Sequence, residues 1–497
     1  MSGVITIDSS ILTGAIMADL VRKDRVLVLE GETNYCYAPE WWSHKTFWLK
    51  FHPKTKELIV HNGVCAKVYA DGELIYAYQL FDRFKPGGKR FGGDTWGAIA
   101  STEDSVFFGG FAYADTSLSD SNLTFVNKYS HIHRIGSDGR TISLVWYDGP
   151  GTTTSWVGEV TDMLYSPKDY AIYFLRGDGG TDIWKLDLSS MQVSRATNTG
   201  LSLFKMELLY DTIYAIGNDP SSGNGVIVKY SLQDYTTTII NSVTGVHMSN
   251  TPVRLYGQIV QYLNRLWAFG IGGVVSIEPK WNEYRQMPFF NLSYAPRIVG
   301  LRSQKAYVMG LPFIPVNPIE MDDEPACNTG FLLRFDPLNP MLVMPTGYVS
   351  GMETDGRSLY IGTSPQNHNY TVTPVNYEPG VGGVFEIPVA TLLGKPFSPI
   401  HIHDRIWNWT SDTYHLGIPT TGYSKKILRI NAPSSFTLNI VFYSLTYNGI
   451  KIFPENTTVN LNAGWNKIDL SSYEGVVAMA PTSDVGGYTW MDFILIP

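Results

Sequence analysis

Charged residues are scarce in this sequence. They make up 16% of its 497 residues, against about 25% in a typical soluble domain. The 37 Lys and Arg residues and 45 Asp and Glu residues give a net charge of −8, and no basic block occurs. Because a nucleic-acid-binding surface needs a positive stripe, we expect no nucleic-acid partner.

Long apolar runs are also missing. No stretch approaches the ~18 apolar residues of a membrane span, so none is predicted. The N-terminal segment carries Asp8 and Asp19 and has no basic region. We therefore expect no cleavable signal peptide in the sequence as given.

Cysteine is nearly absent. Cys36, Cys65 and Cys327 are too far apart for a zinc motif or a disulfide framework. We interpret them as buried small residues, with one bridge plus a free thiol as the alternative. No metal site and no cofactor is predicted.

Catalytic motifs are absent as well. The sequence contains no zinc-protease helix, nucleophile elbow or kinase signature. Its Gly87-Gly88-Lys89-Arg90 run lacks the Gly-Lys-Ser/Thr and following helix of a phosphate loop. We assign no catalytic residue.

Tyr, Trp and Gly are abundant, which is typical of strands and turns. A short apolar strand ending in Gly or a polar turn recurs seven times. Its instances begin at Glu57, Ser105, Ala171, Thr212, Arg265, Lys305 and Ser358. A second strand pair follows several of them, as in Ile183–Asp187, Val226–Tyr230 and Val384–Ile387.

Four-strand units repeating every ~40–50 residues indicate propeller blades. We predict an all-β protein with a seven-bladed β-propeller over residues 25–405. Residues 1–24 form an N-terminal segment that closes the propeller or packs on it. Residues 406–497 contain at least five short strands and Asn448-Gly449 and Ala463-Gly464 turns. This last part is predicted to be a C-terminal β-sandwich, specifically a jelly roll.

Two His-x-His pairs stand out, His131/His133 and His401/His403. On a strand, residues i and i+2 share a face, so each pair offers two imidazoles to one metal. We favour the alternative that they are polar strand residues, because a metal site usually needs a third ligand.

The stretch from Asn127 to Asp187 is dense in ionisable residues near strand ends. A funnel binding site would use Lys128, His131, His133, Glu159, Asp162, Arg176 and Asp178. Carboxylates beside an arginine suit acid–base chemistry. They suit an ion-pair network between blades equally well, and we favour that interpretation.

The sandwich is rich in aromatic residues. Rings suited to stacking on the apolar face of a sugar are Trp407, Trp409, Trp465, Tyr473, Tyr488 and Trp490. The competing interpretation places them in the core, and we expect this for at least half of them.

A resemblance covers part of the chain. The runs Phe107–Gly110, Asn127–His133, Gly158–Asp162 and Arg176–Gly179 resemble an uncharacterised propeller family of hyperthermophilic archaea. The likeness is clearest over residues 90–190 and does not extend to the sandwich. It implies an archaeal or archaeal-virus source and carries no activity. The segment Gly464–Leu470 is similar to a stretch of some jelly-roll carbohydrate-binding modules.

Two functional hypotheses follow. The first is a non-enzymatic surface protein, a virion component of an archaeal virus that contacts other subunits or attaches to cell-surface glycans, with homo-oligomerisation open. Low charge places it on a virion or cell exterior, with the cytoplasm as the alternative. The second is a propeller enzyme that acts on a carbohydrate or small metabolite in the central funnel.

Overall fold

The computed structural model describes much of the chain, with gaps. The described residues are 26–27, 48–61, 65–70, 73–79, 92–94, 98–113, 128–149, 151–152, 157–177, 179–241, 255, 257–278, 283–293, 303–317, 330–346, 348–364, 383–411, 413–446, 449–452 and 456–497. The predicted N-terminal segment 1–24 lies outside them, as do Cys36 and Cys327.

Seven antiparallel sheets, here called blades 1 to 7, follow one another along the described chain. Blade 1 contains β2 (Trp48–Phe51), β3 (Leu58–His61), β4 (Cys65–Ala70) and β5 (Glu73–Gln79). Blade 2 contains β6 (Gly92–Asp94), β7 (Ile99–Ser101), β8 (Val106–Tyr113), β9 (Lys128–Ile135) and β10 (Ile142–Asp148). Blade 3 contains β11 (Glu159–Ser166), β12 (Ala171–Gly177), β13 (Ile183–Asp187) and β14 (Gln192–Arg195). Blade 4 contains β15 (Ser202–Leu209), β16 (Thr212–Asn218), β17 (Gly225–Ser231) and β18 (Thr237–Asn241). Blade 5 contains β19 (Ile259–Tyr262), β20 (Arg265–Gly270), β21 (Gly273–Glu278) and β22 (Glu283–Pro288). Blade 6 contains β23 (Ala306–Val308), β24 (Leu311–Val316), β25 (Gly330–Arg334) and β26 (Met341–Thr346).

Blade 7 closes the ring with a strand from the start of the chain. It contains β27 (Tyr348–Thr354), β28 (Ser358–Ser364) and β29 (Gly383–Pro388), and β1 (Val26–Leu27) pairs antiparallel with β29 as the fourth strand. The first strand of each blade contacts the next blade around the ring: β2 contacts β7, β7 contacts β11, β11 contacts β15, β15 contacts β19, β19 contacts β24, β23 contacts β27, and β27 contacts β2. The protein therefore contains a seven-bladed β-propeller, as predicted.

The repeated apolar strand is the second strand of its blade in six of the seven cases. The instance at Lys305 is an exception and corrects the prediction, because β23 is the first strand of blade 6 and the chain turns at Met309-Gly310. The second strand is β24, which carries Pro312 and Pro315. Proline seldom occurs inside a sheet because it cannot donate a backbone hydrogen bond to the neighbouring strand. The sequence pattern therefore predicts a loop where the structure has this strand.

Two glycines in the second strands of blades are needed because the next blade packs closely against them. A Cβ on Gly109 in blade 2 would lie 2.7 Å from Cγ1 of Val160 in blade 3. A Cβ on Gly177 in blade 3 would lie 2.7 Å from the Leu203 carbonyl of blade 4. The next blade thus packs directly on the backbone of the second strand, which a larger residue would prevent.

The chain after blade 7 forms two further sheets. Helix α1 (Val389–Leu393) leads into β30 (Ile400–Trp409), which starts before the predicted boundary at residue 405. The other strands are β31 (His415–Pro419), β32 (Lys425–Ala432), β33 (Phe436–Thr446), β34 (Gly449–Ile452), β35 (Thr457–Leu461), β36 (Gly464–Asp469), β37 (Val476–Pro481) and β38 (Val485–Ile496). One sheet has the order β30-β38-β32-β36 and the other β31-β37-β33-β34, with β35 also paired to β33.

The two sheets share one core and form a β-sandwich. Ile402, Leu428 and Phe493 of the first sheet lie in the same buried cluster as Ile440 and Val477 of the second. Burial alternates along β30 and β36 of the first sheet, whereas β31 and β37 of the second sheet are buried throughout.

The sandwich packs against blades 5 and 6. Asn291, just after blade 5, exchanges backbone hydrogen bonds with Leu416 (2.8 and 2.9 Å). The buried hydroxyl of Tyr423 donates to the carbonyl of Leu342 in blade 6 (2.8 Å). Phe335 of blade 6 belongs to the same apolar cluster as the sandwich core. Among the described residues, no helix is long and apolar enough to cross a membrane.

Candidate binding face on the sandwich

The first sheet of the sandwich has one face in the core and one in solvent. In β30, Ile400, Ile402 and Ile406 are buried, whereas His401 and Trp407 are exposed. This period of two is the signature of a half-buried strand. We call the solvent side of β30, β38, β32 and β36 the platform.

Strand register arranges the platform side chains in rows across the sheet. One row pairs Trp407 with Tyr488. The next row runs Arg405, Trp490, Asn431 and Trp465. The third row runs His403, Asp492, Arg429 and Lys467. Since adjacent strands lie about 4.8 Å apart, Trp490 and Trp465 are separated by about 10 Å.

Three aromatic rings of the platform are open to solvent. Trp407, Trp465 and Tyr488 are 59%, 54% and 46% exposed. The Trp407 and Tyr488 centroids lie 4.4 Å apart, and Tyr488 is followed by Trp490 at 6.2 Å. Large rings normally contribute buried area, so their exposure on one sheet face makes the platform a candidate binding surface.

Arginines lie against these rings. The Arg405 guanidinium lies 5.3 Å from the Tyr488 centroid and 5.4 Å from that of Trp490. The Arg429 guanidinium lies 4.9 Å from the Trp465 ring. Such cation–π contacts hold each guanidinium beside an aromatic surface, where its N–H groups can meet an acceptor of a ligand.

Asp492 is the carboxylate at the centre of the third row. Its Oδ1 accepts from His401 Nε2 (3.2 Å) and His403 Nδ1 (2.8 Å), and its Oδ2 lies 3.8 Å from Arg429 Nη1. The hydrogen bonds from His401 and His403 hold the pKa of Asp492 well below its ordinary value. Asp492 therefore stays ionised, fixes both imidazoles and balances part of the positive charge.

Two rings predicted to stack on sugar face elsewhere. Trp409 is 1% exposed in the sandwich core, with its indole N–H bonded to the Thr413 carbonyl (3.0 Å). A ring in that position cannot contact a ligand, so its predicted role was wrong. Tyr473 is half-buried and stacks on Phe442 with centroids 4.2 Å apart, which places it at the edge of the core.

The His131/His133 pair lies inside blade 2. The two Nδ1 atoms are 3.0 Å apart, and His131 Nε2 lies 3.2 Å from the Phe111 carbonyl. His133 stacks on Phe108. Burial lowers the pKa of His131 to about 4, so the ring is neutral near neutral pH. The His401/His403 pair lies on β30 of the sandwich, so the two histidine pairs belong to different domains.

Arg176 lies between blades 2 and 3. Its guanidinium lies 4.6 Å from the ring of Trp184 and 5.4 Å from that of Trp146. Its Nη1 pairs with Asp148 at 2.9 Å. Burial lowers the pKa of Arg176, and the side chain joins two blades rather than lining an open funnel.

Glu159 and Asp162 lie on β11, the innermost strand of blade 3. Asp162 Oδ2 accepts from the Met206 amide (2.8 Å), and its Oδ1 lies 3.9 Å from Lys205 Nζ. Glu159 is fully buried. Burial raises the pKa of Asp162 and lowers that of Lys205. The contacts of Asp162 with Met206 and Lys205 link blades 3 and 4 and leave no open site at these residues.

Two members of the predicted funnel set cannot be placed with the others. Lys128 begins β9, but its side chain lies outside the described part of the structure, as does all of Asp178. The described members form separate groups around His131, Arg176 and Asp162. Within the described ranges, no group of three or more His, Cys, Asp or Glu residues could hold a metal ion.

The residues before β23 connect blades around the centre of the propeller. Gln304 accepts from the Leu49 and Met352 amides (2.8 and 3.2 Å) and donates to the Leu49 carbonyl (3.0 Å). Lys305 pairs with Glu207 of blade 4 at 2.6 Å and donates to the Ile259 carbonyl of blade 5. Two adjacent residues of blade 6 thus tie blades 1, 4, 5 and 7 together.

Sequence reasoning missed Arg405 and Arg429 on the platform. The signal was present in β30, where His401, His403, Arg405 and Trp407 recur at every second position. Period two places all four on one face. Their neighbours on β32, β36 and β38 come from distant segments, which periodicity alone cannot pair.

One family matches the sequence, described as "Uncharacterized protein conserved in archaea (DUF2139)", over residues 60–319. This confirms the archaeal resemblance, and the match includes the stretch 90–190 where the likeness is clearest. No curated protein matches the chain.

Solved structures with similar folds are remote in sequence. BamB from Moraxella catarrhalis is 10% identical, with 68% of this chain and 96% of that chain covered and a TM-score of 0.37. The Neurospora crassa Pan2 WD40 domain is 11% identical, with 54% and 72% covered and a TM-score of 0.35. Likenesses this weak carry no argument about function, and the propeller assignment rests on the strand pairing.

Proposed function

The chain belongs to the archaeal family DUF2139, and from that premise we propose that it is a non-enzymatic, surface-exposed binding protein that attaches to glycans through the platform. The propeller serves as a rigid support for the sandwich, which has the strand order of a jelly roll. The observation that carries this proposal is the exposed ring pair of Trp407 and Tyr488, with Trp490 beside Tyr488 and Arg405 against both of the latter rings.

The chemistry of the platform suits a sugar chain. Aromatic faces pack on the apolar face of a pyranose, and nearby polar groups orient its hydroxyls. The rings span four strands, which suits several sugar units better than one. Arg405 and Arg429 favour units that carry a carboxylate or sulfate group.

A direct test measures binding of the full chain to soluble polysaccharides. Dextran, polygalacturonate and dextran sulfate serve as neutral, carboxylated and sulfated probes in affinity electrophoresis or calorimetry. Loss of both exposed rings, Trp407→Ala with Tyr488→Ala, is expected to abolish retardation. Tyr147→Ala removes an exposed ring of the propeller and should leave binding unchanged. Equal binding by both variants would contradict the proposal.

The exterior setting is the second part of the proposal. It places the protein on the surface of an archaeal virion, and the low charged fraction of 16% supports an exterior location. Fractionation of an infected culture tests it, with purified particles, cell envelope and cytosol probed by antibody. We expect the protein in the particle fraction, and recovery only in the cytosol would contradict this location. The alternative of a funnel enzyme gains no support from the described funnel residues, which are buried in separate groups.

A further inference from the structure

Two imidazoles on the solvent side of the platform share one carboxylate. His401 Nε2 and His403 Nδ1 both bond to Oδ1 of Asp492, at 3.2 and 2.8 Å. The two histidine side chains are 59% and 36% exposed, whereas that of Asp492 is only 13% exposed. The carboxylate therefore lies beneath the two rings, and a ligand on the platform contacts the imidazoles first.

The ionised carboxylate determines which ring nitrogens carry a proton. Because the hydrogen bonds from His401 and His403 hold the pKa of Asp492 well below its ordinary value, its oxygens act only as acceptors. His401 Nε2 and His403 Nδ1 must then donate to it even in neutral rings. Within the described residues, the opposite nitrogens, His401 Nδ1 and His403 Nε2, have no hydrogen-bond partner. An added proton enters there and gives each ring a positive charge and an N–H donor that Asp492 does not use.

Permanent charges surround the two imidazoles. The Arg429 guanidinium lies 3.8 Å from Oδ2 of Asp492, and Lys467 pairs with Arg429 across the sheet. Asp404 is on the opposite face of β30, where its Oδ2 accepts from the Ser293 amide (3.0 Å). The charged residues on the solvent side of the four strands are Arg405, Lys425, Arg429 and Lys467, with Asp469 and Asp492. Four cations and two anions give a platform charge of +2, which two protonated imidazoles raise to +4.

The imidazoles adjoin the aromatic rings of the platform. The ring centroids of His403 and Trp490 lie 5.6 Å apart, and Trp490 lies 6.2 Å from Tyr488. A sugar unit stacked on these rings therefore lies next to the third row. Charged donors form stronger hydrogen bonds with an anionic group than with a neutral hydroxyl, so this row favours a unit with an acidic substituent.

We propose that His401, His403, Arg429 and Lys467 form an anion subsite for the acidic group of a glycan, and that protons taken up by the two imidazoles complete it. This inference rests on the proposed glycan binding and deepens it. Asp492 is a positioning residue, because it orients both rings from beneath. Since imidazoles gain their charge between about pH 8 and pH 5, the platform binds an acidic glycan more tightly as the pH falls through this range.

The test measures dissociation constants of the full chain for dextran sulfate and dextran by calorimetry from pH 8 to pH 5.5. Sulfate esters stay ionised across this range, so the charge of the probe is constant. Two additional exposed ion pairs predict a dissociation constant for dextran sulfate that is about tenfold lower at pH 5.5 than at pH 8. Dextran is uncharged, so its dissociation constant should not change, and its binding shows that the fold persists at each pH.

The decisive variant is His401→Gln combined with His403→Gln, which keeps amide donors beside Asp492 and removes both titrating groups. At every pH it is expected to bind dextran sulfate with the affinity that the wild type has at pH 8. Lys467→Gln is the matched control, because it removes a permanent charge of the same subsite. It should weaken dextran sulfate binding by a similar factor at every pH. Both variants should bind dextran as the wild type does.

Each result decides the proposal. Tighter binding of dextran sulfate by the wild type at low pH, together with a double variant that lacks this response, supports it. A wild type without the response, or a double variant that retains it, overturns the inference, while dextran binding leaves the proposed function in place. Failure of both polysaccharides to bind at any pH overturns the proposed function and this inference with it. If the double variant does not bind dextran, His401→Gln alone decides: a smaller pH response supports the proposal, and an unchanged response overturns it.

Discussion

Acidification should destabilise the propeller through His131. Burial lowers the pKa of this imidazole from an ordinary 6.5 to about 4, so the unfolded chain binds a proton in this range more readily than the folded chain. The stability linked to His131 is therefore complete above pH 6.5 and is lost as pH falls from 6.5 to 4. That pKa difference corresponds to about 3 kcal/mol.

The geometry around His131 supports this direction. The ring is enclosed in blade 2, and its Nδ1 lies 3.0 Å from Nδ1 of His133. Two nitrogens at this distance share a single proton, so both rings cannot be charged together. The pKa of His415 in the sandwich is also lowered by burial to about 4. Protonation of His415 should therefore also destabilise the folded chain as the pH falls.

The assay is urea unfolding of the full chain between pH 7 and pH 4, followed by fluorescence. In His131→Gln the decline in unfolding free energy across this range is expected to shrink by about 3 kcal/mol. The control is Ile132→Val, which trims a buried neighbour at a cost of about 1 kcal/mol. This control should lower the unfolding free energy by the same amount at every pH and leave its pH dependence unchanged. An unchanged pH dependence in His131→Gln would refute the reasoning.

Three further predictions test the packing and the platform. Gln304→Ala should cost about 2 kcal/mol in urea unfolding, because backbone groups of two blades lose their partner; an unchanged midpoint would contradict its linking role. Tyr423→Phe should cost about 1 kcal/mol, because the Leu342 carbonyl loses its donor; calorimetry should show a lower melting temperature, and an equal one would contradict the contact. Arg405→Gln should weaken polygalacturonate binding about tenfold while dextran binding is retained; equal loss for both polysaccharides would assign Arg405 a purely structural role.

The propeller was predictable because its signal is local and repeated. The second strand of six blades carries an apolar run that periodicity detects, and in blades 2 and 3 this strand also carries a glycine, Gly109 or Gly177, against which the next blade packs closely. Blade 6 was misassigned because Pro312 and Pro315 lie within β24. Such prolines normally exclude a paired strand, and only the surrounding sheet reveals that this one is paired.

The sites were less predictable because they depend on long-range pairing. The period-two pattern of β30 places His401, His403 and Trp407 on one face, but Asp492 joins them only through the pairing of β30 with β38. Ionisable residues that are dense in the sequence, such as Arg176 and Asp162, proved to be buried links between blades. Density of charge in a sequence does not distinguish an open pocket from a blade contact.

Hydroxyl-radical footprinting of the full chain with and without polygalacturonate tests the central claim most directly. Oxidation is read by mass spectrometry at exposed rings, and the propeller residues Tyr170 and Tyr210 serve as internal references. If the platform binds glycan, polygalacturonate protects Trp407, Trp465 and Tyr488 and leaves the reference tyrosines unchanged. Protection confined to the propeller, or equal oxidation of the platform rings in both samples, would contradict the account.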